Sequence, residues 1–261
     1  MNETLSSMRF GVIVPPANPA VEPEMRRLFT QDQAYHVARL PVFPNTTLYE
    51  RNDLYLKAYP EAIKAFGSLA LGAISIAMTG SSYQLLPEGD LALCRSLSAS
   101  VGVPVVTASL AILMVLRAMD AKRLAMVSPY PVELTAKARA YWEAAGIEVV
   151  QTYSISDDFK AYELTDTDIQ GAFAKVDTGR DAQADAVLLS GTGANALESQ
   201  LALADGSRLP LLSSNLCSAT VLWAMTGREA APALQKLLSD VARPTGPAAA
   251  YLKTEMARLL A

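Results

Sequence analysis

The chain repeats itself. Gly11-Val-Ile-Val-Pro-Pro16 returns as Leu124-Ala-Met-Val-Ser-Pro129, and Ala73-Ile-Ser-Ile-Ala-Met-Thr-Gly80 as Ala186-Val-Leu-Leu-Ser-Gly-Thr-Gly193, both at an offset of 113 residues. Pro104-Val-Val-Thr-Ala-Ser109 and Pro210-Leu-Leu-Ser-Ser-Asn215 make a third pair at an offset of 106. Self-similarity at a fixed spacing marks a duplicated architecture. Each repeated piece is a short aliphatic or β-branched run that ends in Pro, Gly, Ser or Thr. Such runs, apolar without alternation, suit central parallel strands buried on both faces.

Strands are expected at Arg9–Val14, Tyr35–Leu40, Ala73–Ala77 and Pro104–Thr107 in the first half. The second half supplies Arg123–Val127, Glu148–Tyr153, Ala186–Leu189 and Leu211–Ser213. Between strands, Glu61–Leu71 and Pro131–Ala145 read as amphipathic helices, the latter closed by Gly146. Strand and helix alternate, which argues for βαβ units and parallel sheets. The expected fold is α/β: two pseudo-symmetric halves, each a parallel sheet flanked by helices, with a site in the cleft between them. The halves are expected at residues 1–115 plus 222–261 and at 116–221. From Val221 the pattern is helical except around Pro244, Thr245 and Gly246, and this segment is expected to pack back onto the first half.

Composition removes several function classes. With 261 residues, 51% hydrophobic and 18% charged, the chain can bury one large core or two smaller ones. A net charge of -4 and no basic run argue against a nucleic-acid partner. Two cysteines, Cys94 and Cys217, form neither a disulfide framework nor a zinc pattern, and one histidine, His36, excludes a His-rich metal site. Met1 to Phe10 lacks the charged head and apolar core of a signal peptide. Ser96–Leu116 is uncharged and long enough to cross a bilayer. Gly102, Pro104, four serines and a threonine interrupt it, so it reads as a buried strand, Val105–Thr107, running into a buried helix. A soluble cytoplasmic protein with no membrane partner is expected.

In open parallel sheets, ligands bind beyond the C-terminal ends of the strands. The repeated ends are Pro15–Asn18, Thr79–Ser82, Ser128–Tyr130 and Ser190–Asn195. Met78-Thr-Gly-Ser-Ser82 and Leu189-Ser-Gly-Thr-Gly-Ala-Asn195 are hydroxyl- and glycine-rich turns. Followed by helices, they offer free N–H groups to an anion. The alternative is a plain βα turn with Ser or Thr as N-cap; recurrence at matching positions favours the anion site. Neither turn is a P-loop, and the first strand end lacks the dinucleotide fingerprint. Asn18 offers donors and an acceptor at a strand end. Glu22 and Glu24 are either an acid pair or first-turn helix acids. Tyr130, held between prolines, is either an anion donor or a packing aromatic. His36, beside Tyr35 in a strand, reads as structural. Cys94 and Cys217 read as small buried hydrophobes, and Met114, Met119 and Met126 as core.

In their order and spacing, Gly11–Asn18, Met78–Ser82, Ser128–Tyr130, Leu188–Gly193 and Pro210–Asn215 resemble the aspartate/glutamate racemase superfamily. The branch most similar contains maleate cis-trans isomerase and arylmalonate decarboxylase, and the resemblance runs along nearly the whole chain. It implies two Rossmann-like halves with the active site between them, and a possible homodimer. It also implies chemistry on a small carboxylate or dicarboxylate through a carbanion, an ene-diolate or a covalent adduct, with no metal or organic cofactor. On this resemblance Pro16 and Asn18 hold a substrate carboxylate. Thr79, Gly80, Ser81, Ser82 and Tyr130 form a dioxyanion pocket, and Gly191, Thr192 and Gly193 lie opposite.

One departure stands out. Racemases of this family carry a cysteine at each of two strand ends. Here Thr79 occupies the first column, and Gly191 or, by the internal repeat, Thr192 the second. A thiol, titrating near pH ~8.5, serves as base or nucleophile at neutral pH. A threonine hydroxyl does not unless a strong base adjoins it, and these turns contain no His or Lys. Two-base racemisation and cysteine-adduct isomerisation are thereby disfavoured. Decarboxylation of a malonate-type acid loses least from the missing thiols, while isomerisation of a maleate-type acid is what the overall resemblance suggests. The rival expectation is a non-catalytic binder of small acids that kept the fold.

Overall fold

In the computed structural model, residues 8–177 and 184–261 are described; most of the segment read as lacking a signal peptide lies outside them. Strand β1 (Arg9–Val14) is buried from Phe10 onward. Its alternate residues serve two cores, as a central strand requires. Phe10, Val12 and Val14 enter a large core common to both halves, while Ile13 joins Ile74 and Ile76 in a core of the first half. In the second half, strand β5 (Arg123–Ser128) repeats the division. Leu124 and Met126 face the common core, and Ala125 and Val127 a local one.

The first half comprises β1, α1 (Val21–Leu28), β2 (Ala34–Arg39), α2 (Leu48–Lys64), β3 (Ala73–Ile76), α3 (Gly80–Val101), β4 (Val105–Thr107) and α4 (Ala108–Ala118). The second continues with β5, α5 (Val132–Ala144), β6 (Glu148–Ser154), α6 (Asp166–Asp177), β7 (Ala186–Leu189), α7 (Leu197–Leu203), β8 (Leu211–Ser213) and α8 (Ser214–Ala224). Helices α9 (Pro232–Leu237) and α10 (Pro247–Ala257) follow. The sheets are parallel throughout and share one topology, β2-β1-β3-β4 and β6-β5-β7-β8.

The third repeated pair builds the contact between halves. Thr107 and Ser213 each cap the helix that follows, accepting from Leu110 N and Leu216 N, both at 3.2 Å. Helices α4 and α8 then pack against each other, α8 buried along its whole length. Helix α10 packs on α4 of the first half and on α8 of the second. The uncharged stretch Ser96–Leu116 is the end of α3, strand β4 and most of α4. Among the described residues no helix is long and apolar enough to cross a membrane.

Two local features depart from the sequence reading or add to it. The helix expected at Glu61–Leu71 instead starts at Leu48 and stops at Lys64. Its start is a capping box: Thr47 Oγ1 accepts from Glu50 N, and Glu50 accepts from Thr47 N. It ends in a turn through Gly67, whose φ of 58° suits glycine. Helix α3 breaks at Leu86 (φ 59°, ψ 171°), the residue before Pro87, where a helical backbone is disfavoured. The break folds the second piece back so that Asp90 accepts from Ser82 Oγ at 3.0 Å.

Candidate active site

The strands β1, β3, β5 and β7 are the inner pairs of the two sheets. The order reverses there, and the loops after them diverge to leave a crevice. A cavity of about 40 Å³ lies between these ends, lined by Pro15, Asn52 and Gly80 from one half and Tyr130, Thr192 and Gly193 from the other. Leu48, Tyr55, Met78, Leu134, Phe159 and Tyr162 give it an apolar and aromatic wall. A larger groove of about 520 Å³ runs along Ser207–Leu211 and Lys236–Val241, where β8 begins, away from all four repeated strand ends.

Thr79 and Tyr130, predicted from separate halves, meet here. Their hydroxyls lie 2.7 Å apart and both residues are buried. Two hydroxyls joined by one hydrogen bond use one proton between them and leave the other to donate. Burial pushes the Tyr130 phenol far above its ordinary range, so it stays protonated. Its ring stacks on Phe159 (6.0 Å, 11°), which meets Tyr162 edge-on at 5.2 Å. The first-turn N–H groups of Gly80, Ser81 and Ser82 have no backbone acceptor, and neither do those of Gly191, Thr192 and Gly193. Of these residues Gly80, Thr192 and Gly193 line the cavity together with Tyr130, and their N–H groups form a donor set there.

The glycines are dictated by their neighbours. Gly191 adopts φ 95°, and a Cβ there would sit 2.6 Å from the Tyr130 hydroxyl. A cysteine at this position is therefore incompatible with Tyr130 where it stands. A Cβ on Gly193 would lie 2.3 Å from Tyr162 Cε1, and one on Gly80 2.8 Å from Asn52 Nδ2.

Other predicted residues form the frame. Thr192 Oγ1 donates to Ala77 O (2.9 Å) and accepts from Asn18 Nδ2 (3.1 Å), clasping the halves together. Asn18 Oδ1 accepts from Ala20 N and Val21 N in the turn that leads into α1. Pro15 lines the cavity; Pro16 does not, and its carbonyl accepts from Arg39 at 3.0 Å. The Ser81 hydroxyl donates to Asn52 O at 3.0 Å and that of Ser82 to Asp90, so both hydroxyls are spent on the frame, and neither residue lines the cavity.

Glu22 and Glu24 are two apart on α1 and point different ways, as that spacing on a helix demands. Glu22 pairs with Arg39 at the surface. Glu24 is buried and accepts from Ala196 N (2.6 Å), Leu197 N (2.8 Å) and Asn215 Nδ2 (2.6 Å). Burial outweighs these hydrogen bonds and raises its carboxyl from 4.5 to about 7. Asn215 Nδ2 also donates to Thr192 O at 3.1 Å, so Glu24 is tied to the site through one residue.

Asp90 is a second buried acid, accepting from Ser82, Thr107 (2.8 Å) and Tyr141 (2.8 Å). Burial raises its carboxyl to about 6 against those three hydroxyls. Cys94 and Cys217 are buried in the common core, their thiols pushed up by desolvation, and neither lines the cavity. His36 sits in β2, also off the cavity. Sequence reasoning missed Arg51 and Asn52, which line the cavity from the first turns of α2, and Phe159 and Tyr162 in the loop after β6. Two signals were available: the Thr47-x-x-Glu50 capping box, and the rule that any strand end in such a sheet faces the crevice.

No curated protein sequence matches the chain. Its fold matches those of solved proteins over most of its length. An arylmalonate decarboxylase superposes with a TM-score of 0.70 at 20% identity, covering 87% of this chain and 96% of the other. A maleate isomerase from Pseudomonas putida S16, solved with maleate as a cysteine-to-alanine variant, gives 0.69 at 22%, with coverage of 84% and 91%. A maleate cis-trans isomerase from Nocardia farcinica, holding a covalently bound succinylcysteine intermediate, gives 0.70 at 21%, with coverage of 95% and 98%. The sequence profile of arylmalonate decarboxylase matches residues 10–238, most of the chain. The chain belongs to the arylmalonate decarboxylase family.

Proposed function

We propose that this protein is a cofactor-independent decarboxylase of small malonate-type acids that works without a thiol. The observation that carries the reading is the Thr79–Tyr130 hydroxyl pair set beside the acceptor-free N–H groups of Gly80 and Gly191–Gly193. One carboxylate of the substrate occupies that donor set. The bond from the α-carbon to the other carboxylate breaks, carbon dioxide leaves, and the electron pair spreads into the retained carboxylate as an ene-diolate. Charge on the retained oxygens grows in this step, and preformed donors stabilise it more than they stabilise the ground state. The proton that then reaches the α-carbon comes from Tyr130, directly or through Thr79, and is replaced from water. A phenol with a raised pKa is still far more acidic than the carbanion's conjugate acid, so the transfer runs downhill. The apolar wall of Leu48, Leu134 and Phe159 suits an apolar substituent and a leaving carboxylate that gains by losing its charge.

Cysteine-adduct isomerisation has no support in this site, because Cys94 and Cys217 lie in the common core and neither lines the cavity. The test is Tyr130→Phe with phenylmalonate as substrate. Loss of one such donor lowers kcat by about a hundredfold or more, with unfolding by urea little changed. Equal turnover by variant and wild type would remove Tyr130 from the chemistry. A wild type that binds phenylmalonate and never consumes it would make the protein a binder.

A further inference from the structure

Arg51 and Asn52 lie on α2 just past its capping box and line the same cavity, and nothing in the proposed decarboxylation uses them. Asn52 is fully buried, yet neither its amide nitrogen nor its amide oxygen has a hydrogen-bond partner. Buried polar groups are almost always paired, and an orphaned amide at a cavity wall asks for a ligand. Its packing against the start of α3 leaves no room for a Cβ on Gly80, so the amide is held at the donor-rich end of the cavity.

Arg51 is half-buried, and among the described residues no carboxylate pairs with it. Its nearest acidic neighbour in sequence on that side, Glu50, is committed to Thr47. A cation beside a helix N-terminus faces the positive end of the dipole, an unfavourable position without a counter-ion. Burial raises the phenols of Tyr55 and Tyr162, and the charge of Arg51 acts against that rise in both, which sets the guanidinium close to these two rings of the aromatic wall.

We propose that Arg51 and Asn52 form a subsite for an anionic group at the far end of the substrate's substituent, a third carboxylate on a malonate-type acid. The proposal rests on the decarboxylase reading and adds the substrate class. The retained malonate carboxylate sits among Thr79, Tyr130 and the free N–H groups. The substituent runs toward α2, where the guanidinium takes its carboxylate and the Asn52 amide donates to it. The departing carboxylate stays on the apolar side, away from a cation that would stabilise it and slow its loss.

The test compares ethane-1,1,2-tricarboxylate, which would yield succinate, with ethylmalonate, which would yield butyrate, in wild type, Arg51→Gln and Arg51→Lys. Wild type is expected to favour the tricarboxylate in kcat/KM. Arg51→Gln should lower the ratio of the two kcat/KM values by about tenfold or more, and Arg51→Lys should restore part of it. A wild type that prefers ethylmalonate, or a ratio unchanged in Arg51→Gln, overturns the subsite while leaving the decarboxylase reading intact. If neither acid loses carbon dioxide, phenylmalonate turnover decides the decarboxylase reading and calorimetry with succinate and butyrate decides the subsite. Tighter succinate binding that disappears in Arg51→Gln supports it; equal binding of both acids refutes it.

Discussion

Replacing Glu24 by Gln tests how the two halves are held in register around the site. Burial raises the Glu24 carboxyl from 4.5 to about 7. The unfolded chain releases this proton near the lower value and the folded chain near the higher. Between them the folded state binds more protons, so stability falls as pH rises, by up to about 1.4 kcal/mol per pH unit. The full shift amounts to about 3 kcal/mol, present below the unfolded pKa and lost once pH exceeds the folded one. Gln is neutral at every pH and lacks this dependence. Its oxygen still accepts from Ala196 and Leu197, but its amide now faces Asn215 Nδ2. Asn215 must turn so that its Oδ1, now unpartnered, accepts instead. That turn withdraws the donor from Thr192 O and loosens the clasp beside the cavity. Urea unfolding of both proteins from pH 4.5 to 8 reads the effect. Relative to wild type, Glu24→Gln should gain about 3 kcal/mol across that range. The contribution of Asp90 is common to both proteins and cancels. Parallel stability curves would refute the buried-charge argument.

Two further variants probe the frame. Gly191→Ala forces a Cβ to within 2.6 Å of the Tyr130 hydroxyl at a φ of 95°; turnover should fall about a hundredfold, and unchanged turnover would contradict the geometry. Asp90→Ala leaves the hydroxyls of Ser82, Thr107 and Tyr141 without their acceptor. It should cost about 3 kcal/mol or more, read by urea unfolding, and a loss under 1 kcal/mol would show the acid to be dispensable.

Much of this architecture was legible because central parallel strands write themselves as uninterrupted apolar runs, and here the runs occur twice. Their ends single out Thr79, Tyr130 and Gly191–Gly193, of which Tyr130, Thr192 and Gly193 line the cavity. What they could not convey was which hydroxyls turn inward. Ser81 and Ser82 follow Thr79 directly, yet their side chains are taken by Asn52 O on α2 and by Asp90 beyond the break in α3. Asp90 itself looks like any helix acid, since the hydroxyls it accepts from are brought to it by the break in α3, by β4 and by α5. The helix expected at Glu61–Leu71 overlaps only the last turn of α2, because the start of α2 is written in the polar signal at Thr47 and Glu50 rather than in apolar periodicity, and Arg51 and Asn52 lie at that start. Glu24 was named, but its place against α7 and Asn215 follows from how the halves meet.

Whether a carbanion forms here without a thiol is tested most directly by proton NMR of phenylmalonate with the wild-type protein in heavy water. The prediction is conversion to phenylacetate carrying one solvent deuterium on its α-carbon. Phenylmalonate that raises the melting temperature of the protein yet persists unchanged would contradict it.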